Sequence, residues 1–64
     1  MRIVEAEGSV MRLYRVYLVN FGMVVYEGDN LVSAKTEAVK SGFETVVYHP
    51  DGKVDAYSPI GGWR

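Results

Sequence analysis

Only one stretch of this sequence carries a helical period, and strand-like stretches flank it on both sides. It runs from Asn30 to Gly42. Leu31, Ala34, Ala38 and Gly42 recur at the spacing of one helical face, with Val39 beside them. Lys35 falls within that face by angle, so its stem lies on apolar surface while its ammonium reaches water. Asn30 is the expected N-cap, with Asp29 as the alternative. Gly42 reads as the left-handed residue that stops the helix, and Phe43 as the hydrophobic residue packed behind it. A helix this short is not stable alone, so packing against a sheet must hold it.

The sheet is read from the flanks. Arg12 to Asn20 is rich in β-branched and aromatic residues, and both of its alternating sets are largely apolar. A strand of that kind is central and covered twice. Asn20-Phe21-Gly22 is a turn signal, and Met23 to Glu27 is the return strand of a hairpin. Phe43 to His49 forms a third strand. Pro50-Asp51-Gly52 is a tight turn, and Lys53 to Ser58 closes a second hairpin. Pro59, Gly61 and Gly62 end regular structure.

The expected fold is therefore an α+β, two-layer ββαββ domain: a four-stranded antiparallel sheet with one helix on one face. It spans residues 11–64, and Met1 to Val10, polar and glycine-containing, forms a mobile N-terminal arm. Val16, Leu18, Val24, Val47, Val54 and Ala56 are assigned to the helix side. Arg15, Tyr17, Val19, Val25, Tyr48 and Tyr57 are assigned to the opposite face. A one-residue slip in any strand would exchange its sets.

Composition bounds the function. At 64 residues the chain is one domain, marginal in size, yet 48% of its residues are hydrophobic. That richness implies a second apolar surface, and small domains without covalent staples often gain stability by association. There is no cysteine, so disulfides and thiolate metal sites are excluded. A lone His49 without clustered ligands argues against a metal, and no cofactor is expected. The net charge is −1 and the pI about 5.7, so nothing draws the chain to nucleic acid or anionic membrane. No apolar run spans a bilayer and no signal peptide is visible, which makes a soluble, cytoplasmic protein the default.

No constellation supports an enzyme. His49 precedes Pro50 at a strand end, where a solvated turn residue is the simpler reading. Asp51 is explained by the turn and Asp55 by a solvent-facing strand position. Ser58 lacks the glycines of a nucleophile elbow. Gly61-Gly62 lacks the strand-to-helix context of a phosphate loop.

The aromatic residues, five Tyr, two Phe and one Trp, carry more information. Part of them rims a small core. The rest compose a binding face of Arg15, Tyr17, Tyr48 and Tyr57, with Trp63 near its edge. These residue types anchor interfaces, and an exposed apolar patch marks a partner surface. The expected function is thus a non-enzymatic protein-binding module that also forms a homodimer. The alternative is single-stranded nucleic-acid binding, with aromatics on the open sheet stacking bases and Arg12, Arg15, Lys53 and Arg64 touching phosphates.

Tyr14-Arg15-Val16-Tyr17-Leu18-Val19-Asn20-Phe21-Gly22, the Ser41-Gly42-Phe43-Glu44 joint, and Tyr57-Ser58-Pro59-Ile60-Gly61-Gly62-Trp63-Arg64 resemble small uncharacterised proteins encoded by phages and prophages. The resemblance covers Met11 to Arg64, while the residues before Arg12 depart from that pattern. It implies an accessory role in which a host protein is bound and blocked, and it carries over no catalytic residue.

Overall fold

A computed structural model describes residues 13–64, and the expected N-terminal arm lies outside them. The described chain runs β1 (Tyr14–Leu18), β2 (Met23–Gly28), α1 (Leu31–Ser41), β3 (Thr45–Tyr48), β4 (Val54–Ser58) and β5 (Gly62–Trp63). The strands form one sheet in the order β2-β1-β3-β4-β5, every neighbouring pair antiparallel. The helix lies across one face, packed on β1, β2 and β3. The α+β class and the helix bounds agree with the sequence, and β1 is interior to the sheet as expected, but only its helix side is covered among the described residues, not both.

The helix is delimited at both ends as its sequence specifies. The Ser33 N–H donates to Asn30 Oδ1 at 3.0 Å, which satisfies one orphan donor of the first turn. Gly42 sits at φ 75°, ψ 10°, and its N–H returns to the Val39 carbonyl. Phe43, expected to pack behind the helix stop, is half exposed and meets the Phe21 ring at 4.9 Å.

The core is small and built of small side chains. Val16 and Val47 face each other across β1 and β3, and both are fully buried beneath Ala34 and Ala38. The two alanines let the helix backbone approach the valines closely. Tyr14, Tyr26, Leu31 and Trp63 close the rim. Burying each valine is worth about 1.5–3 kcal/mol.

Three expectations about strand number and phase are corrected. The sheet has five strands among the described residues, not four. Ser58 Oγ accepts from the backbone N–H groups of Ile60 and Gly61, and this turn sends Gly62–Trp63 back beside β4. Second, β2 carries a bulge. Tyr26 pairs with Val16 but Val24 with Tyr17, so Val25 is an extra residue and the alternation changes phase there. Val24 consequently shares the open face with Tyr17 instead of the helix side.

Third, β4 is one residue out of the expected phase. His49 N–H donates to the Lys53 carbonyl at 2.8 Å, and Gly52 N–H to the His49 carbonyl at 3.0 Å, so the loop holds three residues and Gly52 takes φ 97°. That loop pairs Thr45 with Tyr57 and Val47 with Asp55. Because directly paired residues share a face, Asp55 and Tyr57 lie on the helix side and Val54 and Ala56 on the open side. Val19 lies beyond the end of β1, in the turn.

Candidate functional site

The face of the sheet opposite the helix has no covering layer among the described residues. Register builds it in rows. Val24, Tyr17, Val46 and Ala56 are successive partners across β2, β1, β3 and β4, an apolar row that crosses four strands. The next row is Glu27, Arg15, Tyr48 and Val54. Val24, Tyr48 and Val54 are all between 45% and 49% exposed, which is high for residues of their size on one sheet face. The Tyr17 and Tyr48 rings meet edge to face, centroids 6.4 Å apart. Arg15 Nε lies 2.8 Å from Glu27 Oε2, an exposed pair at the β2 end of the second row.

Of the five residues singled out from sequence, Arg15, Tyr17 and Tyr48 share this face. Tyr57 and Trp63 are corrected to the other side of the sheet. Their rings pack together at 5.0 Å, and Lys35 from the helix sits 4.9 Å over the Trp63 ring. The open face owes its apolar continuity to Val24, Val46, Val54 and Ala56, which were assigned elsewhere or not at all. The readable signal was the glycine in the third position of the Pro50-Asp51-Gly52 loop, which marks a three-residue hairpin and sets the phase of β4.

The helix side holds a polar cluster. His49 Nε2 lies 2.6 Å from Asp55 Oδ2, and Lys35 Nζ lies 3.8 Å from the same oxygen. The Tyr14 ring meets the His49 imidazole edge-on at 5.1 Å. The hydrogen bond from His49 holds the Asp55 carboxyl below its usual pKa; partial burial opposes this, and the Lys35, His49 and Lys53 charges add to it. An ionised Asp55 only accepts, so Nε2 of His49 carries the hydrogen. His49 is therefore not the solvated turn residue expected from sequence: its side chain is 12% exposed. Nor is Asp55 solvent-facing. With Nε2 committed, the pair clasps β3 to β4, and Lys35 ties the helix to that clasp. The described residues contain no group of three or more His, Asp or Glu side chains placed to hold a metal ion.

A second apolar area lies on the outer flank of the helix. There Val32, Lys35, Thr36, Val39 and Lys40 line an open hollow of ≈ 440 Å³. No described helix is long and apolar enough to cross a membrane. Compared with family models, curated proteins and solved structures, the chain matches none of them.

Proposed function

We propose that this chain is a protein-binding module without chemistry of its own, and that the open face of its sheet is the contact surface. The observation that carries this reading is the apolar row Val24–Tyr17–Val46–Ala56, unbroken across four strands and uncovered. Around it stand Tyr48, Val54 and an Arg15 paired with Glu27. Aromatic residues and Arg carry most binding energy at protein interfaces, and charged residues are sparse at their centres. The resemblance to small phage-encoded proteins supports a host-cell cytoplasmic protein as the partner, inhibited by occlusion. Nucleic acid is the weaker reading, because Tyr57 and Trp63 lie on the other side of the sheet and only Tyr17 and Tyr48 remain to stack bases.

The test is affinity capture from host lysate, with and without nuclease. It compares wild type, a folded Tyr17→Ala/Tyr48→Ala double variant, and a Val32→Thr control on the helix flank. Loss of a specific protein band in the double variant alone is the expected result. Equal capture by all three forms would refute the open face as the contact surface. Capture that disappears with nuclease would move the function to nucleic acid.

A further inference from the structure

We propose that two copies of this chain join through β2, strand against antiparallel strand about a two-fold axis, into one continuous sheet. This goes beyond the reading of the open face and does not depend on it. It starts from a difference between the two edges of the sheet. The β5 edge is two residues long, a length that offers almost no ladder. The β2 edge is six residues long, and no described strand pairs with its outer side. A bare edge presents alternating N–H and C=O groups that only another extended backbone can satisfy in register.

Edges are normally blunted by lysine, proline, unpaired charge or a bulge. Met23–Gly28 contains no lysine and no proline. Its one charge, Glu27, is already paired with Arg15 of the same chain at 2.8 Å. Of those devices β2 has only the bulge at Val25. Met23, Val24 and Val25 are 50%, 48% and 40% exposed, so the first half of the strand is apolar and largely uncovered.

A second copy is the occupant that this strand fits. A two-fold near Val25 sets Val25 beside its own copy and Val24 opposite Tyr26 of the second chain, so the apolar residues Val24 to Tyr26 of both copies meet. It leaves the two Glu27 carboxylates roughly 14 Å apart along the ladder at about 3.4 Å per residue, beyond a Debye length of about 8 Å at physiological salt. A net charge of −1 per chain adds little repulsion. An axis perpendicular to the sheet keeps both helices on one side and both open faces on the other. The dimer therefore doubles the width of the apolar face and leaves it free for a different partner.

The experiment is sedimentation equilibrium of the full chain across the micromolar range, for wild type, Val25→Lys and Val54→Lys, with circular dichroism as the check on folding. Hydrogen exchange of the wild-type β2 amides is followed at low and high concentration. Wild type is expected to dimerise, Val25→Lys to raise the dimer Kd by at least about tenfold, and Val54→Lys to leave it unchanged. Protection should rise with concentration in β2 and not in β5. A monomer throughout would overturn the proposal. So would a dimer broken by Val54→Lys but not by Val25→Lys, which means stacking face to face. If Val25→Lys fails to fold, exchange decides alone: β2 amides equally slow, or equally fast, at every concentration would also overturn it.

Discussion

The two faces of this sheet are built from similar residue types and have opposite fates. On the helix side, Val16 and Val47 are fully buried under two alanines. On the other side, Val24 and Val54 sit nearly half exposed one strand away. Hydrophobicity alone does not separate them. What separates them is register: a bulge in β2 and a three-residue loop before β4 decide which valines meet the helix. The buried set stabilises the fold, and the exposed set is left uncovered among the described residues.

This contrast predicts a graded set of mutational effects. The largest belongs to the covered face. Val47→Ala removes buried methyls beneath the helix and should cost about 2–3 kcal/mol, read as a fall in urea midpoint at unchanged m-value. A loss comparable to that of an open-face valine would erase the distinction between the faces. Gly42→Ala comes next, at about 1 kcal/mol, because a Cβ is disfavoured at φ 75° although no atom lies within 4 Å of it. An unaltered melting temperature would remove the left-handed stop from the description of the helix.

Thr45→Val sharpens the comparison from the opposite direction. Thr45 is 1% exposed and its hydroxyl has no hydrogen-bond partner among the described residues. The isosteric valine should stabilise by about 1 kcal/mol; destabilisation in thermal melts would show that the hydroxyl is satisfied in solution. Asp55 supplies a pH signature specific to the helix side. Its folded pKa lies below the ordinary carboxylate value of about 3.9. Its stabilisation is therefore complete above the unfolded pKa and is lost as pH falls through the folded one. Asp55→Asn should flatten that acid limb in a series of melts, whereas Glu27→Gln on the open face should not. The smallest effect is expected of Val54→Thr, within about 0.5 kcal/mol, measured by the same denaturant titration as Val47→Ala.

Much of the architecture was legible because local chemistry dictates it. Asn30 and Gly42 delimit the helix through a side-chain oxygen and a permissive backbone, both of which can be read without tertiary knowledge. The apolar doubling of β1 marked it as interior. Phase was not legible, since it depends on hydrogen bonds that close turns. Choosing Val54 and Ala56 for the core was sound by hydrophobicity, yet the Gly52 loop places Asp55 and Tyr57 there. The cost of burying that carboxylate is offset by His49 and Lys35, partners six and twenty residues away. Tyr57 and Trp63 followed the same slip, so the candidate site was legible for Arg15, Tyr17 and Tyr48 alone. β5 was missed because its two residues follow a turn stabilised by the Ser58 hydroxyl.

The interior place of β1 also bears on the order in which the protein can assemble. The first described strand pairs with β2 through a short turn, a hairpin that forms in about 1–10 μs once both strands exist. Its other edge waits for β3, some thirty positions later, and closing that span costs chain entropy before any contact repays it. During synthesis at roughly 5–20 residues per second, the nascent hairpin stands with one ladder open until the helix and Thr45–Tyr48 have left the ribosome. Closure of β1 on β3 is the pairing of longest sequence separation in the sheet, and it carries the helix over the sheet.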